Sequence, residues 1–400
     1  MLGTGTHSAL PRHIDPIASG LMAMLRDELP IEQWRAFLKW RTVTSSDAQL
    51  PDAFVAERAA WNGKAQVQLQ VNGLQVDPII DFLNSTLPQQ LDRLMVDAVL
   101  DPGAATQAKL IAGSVKAAMR AHVDELQWAR TATRDNMRRI LDATDIVFLA
   151  IDDVTPAGTL PAMHAHKLLA NTRAAAEYEF DRRVAVALAS RTSRTSQGGA
   201  WWSNEPHYNR YSHSVILSTL AVQAFMAIGS DAPSRYGSFG SVVAHELVHL
   251  FGAPSDVQFP TLPLDWLDGD DVPHFNEMTS RAADDYAAWT REHFDVSPPA
   301  VRFIGEDLAD LGGVAVALKA FTAAYPAASV DGFLGAYATA FRQRQSHEDD
   351  VDYIEAVPAH ALYSYRINGS LANLPAFAEA DGCVASDAMV RPAGATVDLW

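Results

Sequence analysis

Cysteine is almost absent: the 400 residues carry one, Cys383, so no intrachain disulfide can form. Long apolar runs are missing as well, and no stretch approaches the roughly 20 residues that a membrane-spanning helix needs. The first residues, Met1-Leu2-Gly3-Thr4-Gly5-Thr6-His7, show no basic stretch followed by an apolar core, so no signal peptide is expected. These three absences point to a reducing, cytoplasmic location with no membrane partner. The sequons at Asn84 and Asn368 carry no meaning there. Basic charge is scarce too. With 31 Lys and Arg against 48 Asp and Glu, the net charge is −17, and no basic stripe is available for phosphates. A nucleic-acid partner is therefore excluded. No internal repeat is visible, which removes solenoids and propellers.

What remains is ordinary for a folded protein: 48% hydrophobic and 20% charged residues. The length suits two domains or one large two-lobed unit. Residues 13–190 read as mostly helical. Ile31–Trp40 has apolar residues at helical spacing behind an acidic start, and further helical stretches cover about 76–98, 104–128, 131–144 and 164–190. Asp145–Ile151 is a short apolar run compatible with a strand or a helix end. Arg191–Gly199 (R-T-S-R-T-S-Q-G-G) reads as a linker, which divides the chain into a helical lobe, 1–195, and a second lobe, 196–400. His213–Leu220 reads as a strand. Helices return near 275–293, 303–322, 331–345 and 371–380, while His347-Glu348-Asp349-Asp350 reads as a solvated loop.

Val242–Phe251 reads V-V-A-H-E-L-V-H-L-F. His245 and His249 are four apart, so on a helix they point to one side. Two imidazoles so placed can share a tetrahedral Zn²⁺ and leave room for a third protein ligand and a water. Glu246, beside the first histidine, is close enough to take a proton from that water. This is the H-E-x-x-H pattern of zinc metallopeptidases. Apolar residues surround the polar trio, which marks a buried helix, and Gly252 with Pro254 supplies a stop. A buried helix carries two histidines and a glutamate only at a cost unless they are partnered.

A site built on two histidines commonly takes a carboxylate as third ligand. The stretch Gly305–Gly313 (G-E-D-L-A-D-L-G-G) offers Glu306 and Asp310 four apart on one helical face, with Leu308, Leu311, Val314, Leu318 and Phe321 forming the apolar remainder. One carboxylate can bind metal while the other accepts the free N–H of a ligand histidine. Gly312-Gly313 would let another backbone approach closely.

H-E-L-V-H followed 57 residues later (306 − 249) by G-E-D-L-A-D-L-G-G resembles the neprilysin and endothelin-converting-enzyme family of zinc endopeptidases. The glycine-rich Tyr236–Gly240, the element Ala359–Gly369 with its histidine and arginine six apart, Met389 to Pro392 with terminal Trp400, and Glu32–Gly63 resemble further family motifs in the right order. The resemblance implies a mainly α (α+β) fold. A helical N-terminal lobe, abbreviated here, would face a thermolysin-like zincin lobe with a small β-sheet. It implies that His245, His249 and Glu306 bind one Zn²⁺ per chain, that Glu246 is the general base and that Asp310 orients a ligand histidine. His360 would stabilise the oxyanion, and Arg366 would hold a substrate carbonyl or carboxylate. Asn204 is the nearest match to the family's substrate-binding asparagine. Where the family usually has an aspartate three residues after the second histidine, this chain has Gly252.

The leading expectation is a zinc metalloendopeptidase acting on oligopeptides. A dedicated peptide- or amide-processing hydrolase of a biosynthetic pathway is the second reading, and a catalytically silent zinc-binding scaffold the third. His207 and His213, near the expected substrate strand, are read as structural, and so are Phe239, Phe251 and Trp201-Trp202.

Overall fold

In the computed structural model, residues 30–45, 100–149, 160–189, 206–209, 213–252, 266–298, 304–356, 359–392 and 394–397 are described, together with isolated positions between 53 and 98. The chain divides into two compact units, residues 1–81 with 160–178, and residues 82–159 with 179–400. In the first, helix α1 (Ile31–Ser45) carries an acidic first turn, in which Glu32 pairs with Arg35 at 2.6 Å on the surface. An exposed pair of this kind contributes about 0–1 kcal/mol.

The second unit holds the core. Helix α2 (Pro102–Glu125) starts where Asp101 accepts from the Gly103 N–H and Pro102 takes the first helical position. Ala104, Ala108, Ile111, Val115, Met119 and Val123 fall at helical spacing and are all buried. Helix α3 (Thr131–Asp142) buries Thr133, Met137 and Leu141 and leads into strand β1 (Asp145–Phe148). Helix α4 (Leu168–Ala189) begins in the first unit and ends in the second. The expected lobe 1–195 thus contains residues, 102–148, that share the core of the unit carrying the H-E-x-x-H helix.

The sheet has three strands in the order β1-β3-β2. Central β3 (Ser214–Leu217) runs parallel to β1, with Ile146 opposite Val215, and antiparallel to edge strand β2 (His207–Asn209). All four β3 residues are buried, as a central strand covered on both faces requires. The expected strand over 213–220 is therefore shorter, because Ser218 caps helix α5 (Thr219–Met226) by accepting from the Ala221 N–H.

A short helix α6 (Ala232–Arg235) passes into a π-helical turn, Tyr236–Gly240, then into α7 (Ser241–Val248) and a 3₁₀ turn, His249–Phe251. Every residue of α7 is buried. Helices α8 (Val272–Phe294), α9 (Ile304–Ala324) and α10 (Asp331–Phe341) follow. Then come α11 (His347–Glu355), α12 (Tyr363–Ala372) and α13 (Pro375–Ala380). Two expectations fail here. His347–Asp350 is the first turn of α11 rather than a loop, because Ser346 and Asp349 form a capping box that offsets its charge density. The helix expected over 371–380 is two, α12 and α13, with Pro375 opening the second. Among the described residues, no helix is long and apolar enough to cross a membrane.

Candidate metal centre

The H-E-x-x-H helix is held by close backbone packing on two sides. A Cβ added at Gly237 would lie 2.1 Å from the Phe333 carbonyl oxygen, so no larger residue lets the π-helical turn meet α10. A Cβ at Gly313 would lie 2.9 Å from the His245 nitrogen and 3.1 Å from the Ser241 carbonyl oxygen. Gly313 therefore lets α9 lie directly against α7, and this brings the first turns of α9 to the face that carries His245 and His249.

Four side chains converge there. His245 Nε2 is 3.1 Å from Glu306 Oε2 and 3.1 Å from His249 Nε2, and His249 Nε2 is 3.4 Å from the same Glu306 oxygen. His360 Nε2, from the loop before α12, is 3.0 Å from that oxygen. The Glu246 carboxylate joins His245 and His249 in a set of polar atoms all within 4.8 Å of one another. Asp310, one helical turn beyond Glu306, lies behind the cluster, with Oδ1 2.9 Å from His245 Nδ1. Accepting that N–H fixes the tautomer and turns the Nε2 lone pair towards Glu306 and His249.

Arg366 stands behind Asp310. Its Nε donates to Asp310 Oδ2 at 2.7 Å and its Nη2 to Oδ1 at 2.8 Å, a bidentate pair. The guanidinium also lies 4.6 Å from the Phe341 ring centre, and the Arg366 carbonyl accepts from Tyr337 Oη at 3.0 Å. Both Asp310 and Arg366 are over nine-tenths buried. The residue expected to hold substrate is thus tied at two of its nitrogens to the carboxylate that orients His245. Sequence reasoning missed this coupling, and it missed Phe341 and Tyr337 beside it. Each lies in an apolar stretch that reads as core, and nothing in the one-dimensional pattern distinguishes a core ring from one under a guanidinium.

The electrostatics are those of a cation site. Burial pushes the Glu306 carboxyl up, but the His249 charge and hydrogen bonds from three imidazoles outweigh it and hold Glu306 well below the usual carboxylate range. Burial likewise raises Asp310, and the Arg366 charge with the His245 hydrogen bond overrides it. For His245, burial disfavours the charged ring, yet hydrogen bonds to Asp310 and Glu306 raise its pKa to about 10. The cluster demands positive charge, whether as a proton or a metal. Zinc–nitrogen bonds of about 2.0–2.1 Å put neighbouring tetrahedral ligands roughly 3.3 Å apart, and the observed separations of 3.1, 3.1 and 3.4 Å match that edge. Donor types and spacing fit Zn²⁺.

Asn204 lies outside the described residues, as do Trp201, Trp202 and the 191–199 linker. His207 opens edge strand β2, and His213, at φ 51°, meets Tyr208 Oη through Nδ1 at 3.5 Å. Phe239 and Phe251 are core residues, each 1% exposed. Gly252 ends the 3₁₀ turn at φ −58°, an ordinary extended conformation.

Comparison with known proteins places this geometry. Profiles described as Peptidase family M13 match residues 15–148 and 206–396. The neutral endopeptidase of Lactococcus lactis subsp. lactis (strain IL1403) is 27% identical over 201 residues, covering 48% of this chain and 31% of its own length. An endothelin-converting enzyme homolog from Locusta migratoria is 22% identical over 300 residues, covering 71% of this chain and 40% of its own. The chain thus spans between about a third and two fifths of these relatives. Among solved structures, the open state of the Mycobacterium tuberculosis zinc metalloprotease ZMP1 superposes with a TM-score of 0.75 at 21% identity, covering 95% of this chain and 61% of that one. The inhibitor complex of the same protein gives 0.65 over 94% and 59%. At such identities the structural likeness shows the fold, which is the mainly α zincin architecture with a small sheet. With both profiles matching and the two halves of the motif meeting around Glu306, the chain belongs to peptidase family M13.

Proposed function

We propose that the protein is a zinc metalloendopeptidase that hydrolyses peptide bonds of oligopeptides. His245, His249 and Glu306 would hold one zinc ion per chain. The ion, when bound, supplies Lewis-acid polarisation of a carbonyl and a lowered pKa for a water at the site. Glu246 accepts a proton from the attacking water and passes it to the departing amine. Asp310 keeps the proton on His245 Nδ1, so that Nε2 stays a donor of its lone pair. His360 donates an N–H to the oxygen on which negative charge develops. Arg366 keeps Asp310 ionised, and its remaining nitrogen, Nη1, is the atom that would meet a substrate carbonyl or carboxylate. Edge strand β2 would pair with substrate backbone, and Asn204, outside the described residues, is the side chain proposed to contact it.

The reading is carried by one observation above the others. A carboxylate oxygen from α9 lies within 3.1 Å of His245 Nε2 and 3.4 Å of His249 Nε2, although 57 residues (306 − 249) separate Glu306 from the nearer histidine. Family membership adds to it, and the similar ZMP1 is a zinc metalloprotease. A division into a helical lobe, 1–195, and a catalytic lobe, 196–400, and a cytoplasmic location belong to the same proposal.

Metal analysis combined with cleavage of a peptide library, with and without chelator, tests it. Zinc at one equivalent with chelator-sensitive cleavage is expected. Glu246→Gln should retain zinc and lose turnover by about 10²–10⁴-fold, the range for a general base. Zinc bound with no cleavage of any peptide would favour the scaffold reading; unchanged turnover in E246Q would remove Glu246 as the base.

A further inference from the structure

We propose that Tyr286 and Tyr353 are positioning residues for His360: their hydroxyls seat the backbone of the loop before α12 and so aim the His360 ring into the site. This rests on the reading of His360 as the group that donates to the developing oxyanion.

His360 is mounted on a different part of the fold from His245, His249 and Glu306. Helices α7 and α9 pack Val243, Leu247, Leu308 and Val314 into the main core. The residues around His360 belong to a separate small cluster of Tyr286, Ala361 and Tyr365, with Trp289 packed against it. Tyr286 meets Tyr365 edge to face, 4.7 Å between ring centres, and Trp289 lies 5.4 Å from Tyr365. Ala361 and Leu362 are 3% and 1% exposed, whereas the His360 side chain is 39% exposed. A ring with so much free surface gets little packing of its own, and its direction depends on the backbone that carries it.

Two phenols hold that backbone. The His360 carbonyl accepts from Tyr353 Oη at 3.3 Å, and two residues on, the Leu362 N–H donates to Tyr286 Oη at 3.4 Å. Tyr353 comes from α11 and Tyr286 from α8, so the loop is pinned to two helices. The first turn of α12 is tied to α8 as well. Tyr365 Oη donates to Asp285 Oδ2 at 2.8 Å, and Arg391 Nη1 donates to Asp285 Oδ1 at 2.6 Å while its Nη2 reaches the Gly369 carbonyl at 3.2 Å. Asp285 and Tyr286, neighbours on α8, thus grip the stretch between His360 and Arg366 at two points. A donor serves an oxyanion only within about 2.7–3.1 Å of it, so a small drift of this loop forfeits the interaction. The same drift leaves α7 and α9 where they are, and with them the three proposed ligands.

Replacing each tyrosine by phenylalanine removes one hydroxyl and keeps the ring, so the cluster stays packed. On an internally quenched oligopeptide that the zinc-loaded chain cleaves, Tyr286→Phe and Tyr353→Phe should each lower kcat about 10-fold, with KM and zinc affinity within about twofold of wild type. His360→Ala should lower kcat about 10²–10³-fold. On that background neither phenylalanine should cost anything further, because a positioning residue acts only through the side chain it positions. A second readout needs neither metal nor turnover: in the metal-free chain the Leu362 amide should exchange its hydrogen at least about 10-fold faster in Y286F than in wild type. Equal losses of kcat with and without His360 would overturn the proposal, since the hydroxyls would then serve stability alone. Wild-type kcat in both phenylalanine variants, or an unchanged Leu362 exchange rate, would overturn it too. In all these cases a low kcat in H360A leaves the reading of His360 standing; wild-type kcat in H360A would sink that reading and the proposal with it.

Discussion

Asp310 shows how much a single carboxylate can be asked to do. It accepts from His245 Nδ1 at 2.9 Å and from two nitrogens of Arg366 at 2.7 and 2.8 Å, in a place where it is 4% exposed. Asp310→Ala removes all three hydrogen bonds at once and leaves the guanidinium buried without its counter-charge. Breaking a buried pair in this way costs about 3–5 kcal/mol, which chemical denaturation would read directly. Loss of the group that orients His245 should also weaken zinc binding by about 10–100-fold in a chelator competition. The double variant Asp310→Ala with Arg366→Met should recover much of the stability and none of the zinc affinity, since only the stranded charge is relieved. Two tyrosines make a second prediction at this scale. Burial, then the charge of Asp310, raises Tyr337, and burial, then Asp285, raises Tyr365. Both phenols therefore keep their protons in the folded state above pH about 10, where an unfolded tyrosine loses its own. Their contribution to stability is present below that pH and is lost as pH rises through the folded values. In a spectrophotometric titration two of the ten tyrosines should ionise late, together with alkaline unfolding.

At the level of elements, glycines decide how closely helices meet. Gly313 and Gly237 both lie where a methyl group would collide with backbone, yet they have different consequences. Gly313→Ala pushes α9 from α7 and so drags Glu306 and Asp310 away from His245. Overpacking of this kind costs typically about 1–3 kcal/mol, and here zinc affinity should fall with stability. Gly237→Ala acts between the π-helical turn and α10, and its loss of stability should be at least as large. Gly113, exposed within α2 with nothing within 4 Å, is the control. Its replacement by alanine should stabilise the protein by about 0.5–1 kcal/mol through the better helix propensity of alanine. Thermal melts of the three variants with and without zinc would separate the cases. In the sequence α7 was marked by apolar residues on most sides of its polar trio and α9 by an apolar remainder around two carboxylates on one face, and both helices formed there. The helices at His347–Glu355 and Tyr363–Ala372 were not legible: the first is charged in its opening turn, and the second mixes polar and apolar residues around the H-x₅-R element.

For the molecule as a whole, the metal is the term that couples the site to folding. The proposed ligands come from α7 with its 3₁₀ extension and from α9, which the unfolded chain does not bring together, so zinc held by them would bind the folded state by preference. Chelation should lower the melting temperature, and zinc at 100 times its Kd should restore about 2.7 kcal/mol. Calorimetry of the chelated and reloaded protein gives the difference; identical melts would mean that the cluster is held together without a metal. The pairing of the candidate ligands is legible in the sequence, because helical geometry is local: four-residue spacing puts His245 with His249, and Glu306 with Asp310, on single faces whatever the rest of the chain does. The sequence by itself determined the mainly α class and the burial of the H-E-x-x-H helix for the same reason. That Asp310 meets His245 and is itself held by Arg366 follows from tertiary packing. It alone brought His360 to within 3.0 Å of Glu306 and carried residues 102–148 into the core beside the site. Those are contacts between segments distant along the chain, set by how apolar faces pack, and no spacing within one segment encodes them.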